Sequence, residues 1–461
     1  MFYLSTLMHK HDNYTFLTSA PVSRVVVAMA VPTIISMLVT SLYNMADTFF
    51  VGQIDTQSTA AVGIVFSVMF FIQAFGFFFG HGSGSYIARE LGARRHDNAA
   101  RMASTGFFLS FGFGCLIMLV GELLLTPLSV ELGSTPTILP YTERYLGIVL
   151  LGAPFFTSSL TLNNQMRLQG NASYAMYGIV TGAVINVALD PLFIFLFDMG
   201  VAGAALATVV GQVVSFAILL RMVRREGNIA VHARLFAPSW SLFKEIFYGG
   251  SPSLSRQGLA CIATIALNVS VKVYGDAAIA GMSIVNRIAM FVMAAVVGLG
   301  QGFQPLCGFC YGARLYGRVR QAFWFTTGVG TVFLSLCSVV GFCFSDGIIE
   351  LFRNDPHVIA VGSVALVWQL VTFPLNAFVM TSNMLTQVCR KPWRANILAA
   401  ARQGLFFVPL VIVLPRYFGI LGVEACQAAS DACAFALTVP VMLYTFREMR
   451  REEIAWGTEA H

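Results

Sequence analysis

The chain alternates, almost from end to end, between long apolar runs and short polar connections. Each run is about the length a helix needs to cross ~30 Å of hydrocarbon. The pattern predicts twelve spans, at 22–46, 58–86, 102–124, 140–165, 174–197, 200–222, 243–270, 277–305, 321–344, 358–386, 393–415 and 420–445. No stretch shows the apolar-out, polar-in alternation of a membrane barrel strand. The expected fold is therefore an all-α polytopic membrane protein of twelve transmembrane helices. The first twenty residues, among them His9, Lys10, His11 and Asp12, are polar. They lead into no short apolar core with a small-residue cleavage site, so no removable signal or transit peptide is expected.

The spans repeat at an offset of 220 residues. Pro32 matches Pro252, Gly80-His81-Gly82 matches Gly300-Gln301-Gly302, and Gly92-Ala93-Arg94 matches Gly312-Ala313-Arg314. Pro154 matches Pro374, and Asn163 matches Asn383. One ungapped offset linking separate segments points to a duplication. Because it covers six spans, an even number, the halves share one orientation about an axis along the membrane normal, as in transporters that rock about a site between repeats. The expected organisation is two pseudo-symmetric six-helix lobes, 1–222 and 243–461, joined by a basic cytoplasmic linker at 223–242 that contains Pro238 and Trp240; a short cytoplasmic tail ends the second lobe.

Composition agrees with the pattern: 57% of the 461 residues are hydrophobic and 11% charged, against roughly a quarter charged in soluble domains. The placement of charge adds more than its net value of +6. Segments on the side of the termini collect Lys10 and Arg24, the arginines at 89, 94, 95 and 101, Arg167, the linker cluster 221–244, and the arginines at 314, 318 and 320. The same side holds Arg390, Lys391, Arg394 and the cluster Arg447, Arg450 and Arg451. Opposite loops hold only Arg144, Lys272, Arg353 and Arg416. The positive-inside bias then puts both termini in the cytoplasm. The partner of the basic residues is a lipid bilayer, not nucleic acid. The nine cysteines lie almost wholly in apolar spans and indicate no disulfide framework. Cys307 and Cys310 have redox spacing without the strand-to-helix setting that motif requires.

Chemistry is concentrated in the few ionisable residues within the apolar runs. The first half has Asp47 and Asp190; the second has Arg256, Arg287, Arg402 and Asp431. Asn186 precedes Asp190 by one helical turn and shares its face, and Pro191 removes a backbone donor beside it. Broken backbone at membrane depth is tolerated only where protein or water covers it. Asp47 lies 23 residues after Arg24, ~35 Å of helix, so a water-facing helix end is one account of it. A bend at Pro32 brings it back to the depth of Asp190, with Asn44 on its face and Thr208 in the same layer. Two carboxylates, an amide and a hydroxyl form an oxygen set suited to a hard cation such as Na+ or to a shared proton. Asn186 also fits a plain interhelical hydrogen bond, and Arg402 with Asp431 fits a structural ion pair. Arg256 and Arg287 are left with three readings: repelling cations, binding an acidic ligand group, or pairing with backbone.

The Pro32 span ending L-Y-N-M-A-D-T-F-F-V-G, the following A-A-V-G, the G-A-R-R-H loop, the N-x-x-x-D-P element and G-x-G-x-Q-P from Gly300 to Pro305 resemble the multidrug and toxic compound extrusion (MATE) transporters, and within them the prokaryotic DinF-like branch. The resemblance implies two six-helix lobes in a V. It implies export of organic cations in exchange for H+ or Na+, and a cation site in the first lobe. The matching positions are Asp47, Asn186, Asp190 and Thr208, with Tyr43, Asn44 and Asn163 in the adjoining cavity and Pro32 as the bending point of the first span. The acidic pair that the NorM-type branch carries in its second lobe is absent; Arg256 and Arg287 occupy that region.

The expected function is a secondary antiporter of the cytoplasmic membrane of a prokaryote. It would act as a monomer on small amphipathic, cationic substrates, with H+ or Na+ as coupling ion and no other cofactor. The alternative is a lipid-linked oligosaccharide flippase of the same superfamily, against which stand twelve spans and the lack of a strongly basic central cavity. A membrane enzyme would need a nucleophile–base or metal set, and the seven histidines are scattered, only His81 adjoining a span. The G-x-x-x-x-G-K-[ST] signature of a nucleotide-driven pump is absent.

Overall fold

A computed structural model describes residues 13–353 and 355–459; Lys10 and the polar residues beside it lie outside the described residues. The spans follow the expected order: α1 (Val22–Val51), α2 (Thr56–Gly92), α3 (His96–Leu123), α4 (Leu139–Leu151 and Ala153–Leu168), α5 (Ala172–Pro191) and α6 (Val201–Met222). The second half supplies α7 (Trp240–Val271), α8 (Asp276–Gly312), α9 (Tyr316–Cys343), α10 (Pro356–Val388), α11 (Pro392–Ala400 continuing to Val408–Phe418) and α12 (Ile420–Glu459). Eleven of these are long and apolar enough to cross a membrane; α4 makes the twelfth as a pair of helices bent by 48°. That bend falls at Gly152, with Pro154 just inside the second piece, where its missing donor costs nothing. Its repeat partner, Pro374, sits inside the uninterrupted α10. Pro32, expected as a bending point, likewise lies within a continuous α1.

The helices overrun the predicted spans, chiefly on the side of the termini. α2 continues to Gly92, α8 to Gly312, and α12 carries the expected tail onward as helix to Glu459. The predicted spans ended where polar residues thicken, yet the polar residues at these ends are buried between helices. His81, Asn164, Gln165 and Arg167 are each at most 1% exposed. This corrects one expectation: Arg167 is an interior residue, not a loop charge.

The repeat is visible in backbone detail. Asn163 donates to the carbonyl of Ala175 at 2.9 Å, and Asn383 to that of Ala395 at 2.8 Å, the same bond 220 residues apart. Arg94 and Arg314 both take φ of 59°. Across the lobe boundary, a Cβ on Gly92 would stand 2.2 Å from the Phe309 carbonyl oxygen, and one on Gly312 would stand 2.0 Å from that of Arg89. The two contacts are related by the repeat, so the pseudo-twofold axis passes between the ends of α2 and α8.

Packing shows where the lobes join. One core near the termini mixes both halves: Val25 and Met29 of α1, Phe78 and Ile87 of α2, Ile246 of α7, Phe303 of α8 and Leu385 of α10. Towards the far side the lobes keep separate cores, one around Val65, Ile72 and Tyr145, the other around Val285, Leu366 and Phe373. The molecule is thus a V, closed on the side of the termini and open opposite. Polar clamps reinforce the closed side. Arg89 of α2 pairs with Glu245 of α7 at 3.0 Å and donates to the Val388 carbonyl at 2.8 Å. The short helix Asn13–Ser19 ties Asn13 to the carbonyl of Gln169 in the first lobe, while Arg318 of the second lobe donates to the Leu17 carbonyl. The linker is strapped to the first lobe by the amides of Ile229 and His232, which donate to Gln169 and Ser104. Cys307 faces Cys389 at 3.6 Å, and Cys310 points at the Leu17 carbonyl, so the C-x-x-C pair is not a pair in space.

A bulky residue at Gly312 has no room unless α2 and α8 separate. Overpacking of this kind costs about 1–3 kcal/mol. Gly312→Leu is therefore expected to lower the thermal midpoint and to expose Cys307 and Cys310, buried in the wild type, to a maleimide; peptide mapping after labelling reads this. Wild-type labelling with an unchanged midpoint would contradict the axis contact.

Candidate functional site

The expected oxygen set assembles because small residues let α5 and α6 touch. A Cβ on Gly182 would fall 2.7 Å from the Gly211 carbonyl oxygen, and one on Gly211 would fall 2.8 Å from that of Gly182, the close approach that small residues give membrane helices. This crossing sets Asn186 against Thr208, whose hydroxyl accepts from the Asn186 amide at 3.2 Å. One turn further along α5, Asp190 is wholly buried. Immediately after it α5 ends at Pro191, and a π-helical turn, Leu192–Leu196, follows.

Asp47 of α1 is 6% exposed, so it is not a helix-end carboxylate in water. It lies within electrostatic reach of Asp190, and Tyr43 and Tyr145 lie within electrostatic reach of both carboxylates. Tyr43 stands one turn from Asp47 on the same face of α1. Neither Asp190 oxygen, nor Oδ1 of Asp47, nor Oδ1 of Asn186 has a hydrogen-bond partner among the described residues. Tyr145 was not foreseen: on a sequence it is one aromatic among many in an apolar run. Asn44 is half-buried beside the set.

Between the lobes lies a cavity of about 850 Å³. Tyr43, Asn163, Asn186 and Thr208 line it; Asp47 and Asp190 stand behind that wall. Aromatic rings of Phe66, Phe70, Phe77 and Phe156 face Met290, Met293 and Met380 across it. Polarizable and adaptable surfaces of this kind accept many shapes.

Three guanidiniums reach the cavity, those of Arg167, Arg256 and Arg402, so its wall is more basic than the sequence implied. They differ in what holds them. Arg167 is enclosed at the closed end: it donates to the Gln301 carbonyl, to Gln304 at 3.0 Å and to Asn164, and it meets His81 Nε2 at 3.2 Å. A guanidinium only donates, so His81 Nε2 accepts. Its Nδ1–H then points at Ser253 Oγ, 3.0 Å away in the other lobe. Gln387, the repeat partner of Arg167, donates to the Gly249 carbonyl and to Ser253. Arg402, in the π-helical stretch Ala401–Phe407, donates Nε to Asp431 at 2.7 Å. Asp431 also accepts from Gln427 and Asn376, each at 2.8 Å. Arg256 donates to the Asn383 amide oxygen at 3.1 Å. Arg287, the other second-lobe candidate, is exposed and lines a separate recess of about 450 Å³ with Arg353 and Asp355, away from the central cavity.

The sequence model of the MatE family matches this chain twice, over residues 32–192 and 252–413. The two matches begin 220 residues apart, at the prolines that opened the repeat. A chain covered in this way belongs to the MatE family of multispan membrane transporters; it is a transport protein and not an enzyme. Among its relatives is the multidrug export protein MepA of Staphylococcus aureus, 25% identical over 438 residues, with 94% of this chain and 96% of that protein covered. MepA of Staphylococcus haemolyticus is also 25% identical, over 429 residues, covering 92% and 94%. A solved structure described as the outward-facing conformation of a multidrug resistance MATE family transporter superposes with a TM-score of 0.90 at 25% identity, covering 96% of this chain and 99% of that one. A MATE transporter crystallised with the ligand MaL6 superposes with a TM-score of 0.91 at 24% identity, covering 96% and 100%.

Asp190 and Asp431, both wholly buried, are in opposite situations, and stability separates them. Asp431 carries a full set of donors, and removing one partner of a buried pair costs about 3–5 kcal/mol. Asp190 has none to lose. Asp431→Asn is expected to lower the thermal midpoint of the purified protein sharply at neutral pH, and Asp190→Asn to leave it unchanged or raised. The reverse order in a thermal-shift measurement would overturn the pairing described here.

Proposed function

We propose that this transporter is an antiporter exporting small amphipathic organic molecules, including cationic drugs, in exchange for H+ or Na+. The observation that carries the reading is the pair Asp47 and Asp190, buried beside the cavity wall with three carboxylate oxygens unpartnered. Two neighbouring carboxylates in a water-poor site repel each other, and a proton or a hard cation between them relieves that repulsion. Asn186 and Thr208 supply the further oxygens such an ion would use. The name of the relative MepA, a multidrug export protein, supports drug efflux.

The distribution of basic loops supports cytoplasmic termini. With that orientation the V opens outward, a state that releases drug and takes up the ion. The ion neutralises the pair on α1 and α5, the cavity wall formed by Tyr43 and Asn186 rearranges, and substrate affinity falls. Coupling requires the ion to bind the two lobe arrangements unequally. The protein acts as a monomer, since the cavity and the ion set are complete within one chain. A lipid-linked oligosaccharide flippase is the second reading, and the arginines on the cavity wall are the observation that favours it.

Ethidium efflux from right-side-out vesicles, driven separately by a proton and a sodium gradient, tests the proposal. One gradient is expected to drive efflux, and Asp190→Asn to abolish it. Efflux that persists in Asp190→Asn would remove the first-lobe site from the mechanism; no efflux under either gradient would remove the antiporter.

A further inference from the structure

Of the three guanidiniums on the cavity wall, two are already committed. The charge of Arg402 is met by Asp431 at 2.7 Å. Arg167 is enclosed by Gln301, Gln304, Asn164 and His81, and is 1% exposed. Arg256 differs from both. Among the described residues it has no carboxylate partner and one hydrogen bond, to the neutral amide oxygen of Asn383. Its remaining donors, from a fork that presents five N–H groups, face the cavity it lines.

The surroundings hold that fork in place. Asn383 donates its own amide to the Ala395 carbonyl at 2.8 Å, which fixes its oxygen towards Arg256. No Asp or Glu lines the cavity, and Arg167 and Arg256 both lie within electrostatic reach of His81, so the potential at this end is positive. The repeat adds a contrast. Residue 36, the counterpart of Arg256, is a serine whose hydroxyl is turned back onto the Pro32 carbonyl. The first lobe thus carries the acidic pair behind its side of the cavity, and the second presents a cation without a counter-charge on the cavity wall itself.

A partly desolvated cation without a counter-charge is unfavourable in an empty site and favourable once an anion arrives. We infer that Arg256 forms a carboxylate subsite, and that the substrates this cavity fits best are amphipathic zwitterions. Their acidic group lies on Arg256, and their cationic, aromatic body lies among Phe66, Phe70, Phe77 and Phe156. A cation over those rings is attracted by their faces. This inference rests on the cavity being the drug site of the antiporter proposed above, and it adds the charge type of the cargo.

The test uses a matched pair of fluorescent xanthene dyes, one with a free carboxylate and the other its methyl ester, and reads equilibrium binding to the purified full-length protein by anisotropy. Binding is measured without a gradient, so failure of antiport leaves the answer intact. The wild type is expected to prefer the free acid. Arg256→Gln should weaken acid binding by roughly ten- to a hundredfold, the value of a charge-assisted hydrogen bond, while ester binding stays unchanged and reports a folded cavity. Arg256→Lys should restore part of the preference. A wild type that prefers the ester overturns the inference without any variant, and so does an Arg256→Gln protein that loses both dyes equally or neither.

Discussion

Close backbone contact across the lobe boundary, between α2 and α8 and also between α2 and α7 and between α1 and α8, governs the rest of the structure. Hydrocarbon offers membrane helices no solvent-driven reason to associate, so close approach must come from packing and from polar groups satisfied between helices. Gly92 and Gly312 bring each helix onto a carbonyl of the other, at positions exchanged by the repeat. Everything that closes the V lies around that axis: the mixed core, the Arg89–Glu245 pair, and the network through Arg167, His81 and Ser253. A contact of this geometry is either made or absent. Lobes joined so narrowly, with separate cores beyond it, can exchange one opening for another without unfolding either half.

The same duplication has been used for opposite electrostatics. In the first lobe, α1 and α5 bury two carboxylates beside unpartnered oxygens. In the second, the wholly buried carboxylate of Asp431 is saturated by Arg402, Gln427, Asn376 and a weaker contact from Thr372. Saturation makes a group structural, because any change of charge state then loses bonds. Want of partners makes a group available. By that criterion the first lobe is the place for the ion chemistry proposed above, and Asp431 serves to hold α10, α11 and α12 together across the π-helical stretch of α11.

The fold was legible because hydrophobic length and an ungapped repeat both survive in a single sequence. Asn163 and Asn383, paired there only by spacing, turn out to make the same bond to matching carbonyls. Arg167 was not legible. It lies in a polar run, Asn163-Asn164-Gln165-Met166-Arg167, that ends an apolar stretch and so reads as a loop. Its burial depends on partners from the other lobe, Gln301 and Gln304, which no local window contains. His81 fell inside a predicted span, but its partners Arg167 and Ser253 are equally distant in sequence. With Arg167 counted inside, the buried charge of the first lobe is less acidic than hydropathy implied. Arg287 differs: it lines a separate recess, while its neighbours Asn286 and Met290 line the cavity. Direction around a helix requires knowing the neighbour, and Arg256 had the same sequence credentials as Arg287.

The antiport proposed above requires both walls of the cavity to act on the shared core that holds the lobes closed. α1 carries Tyr43 and Asp47 towards its far end and Val25 and Met29 in the shared core at the other. α7 carries Arg256 on the cavity wall, Ser253 in the polar network one turn away and Ile246 in the shared core. Each is a continuous helix, so a change at its cavity segment is transmitted rigidly to the closed end. Under the proposals above, an ion that repositions α1 and a substrate that engages α7 would compete through the same core, without touching one another. Exchange in place of leak follows if each occupant favours a different packing of that core, which is a property of α1 and α7 and not of the binding groups alone.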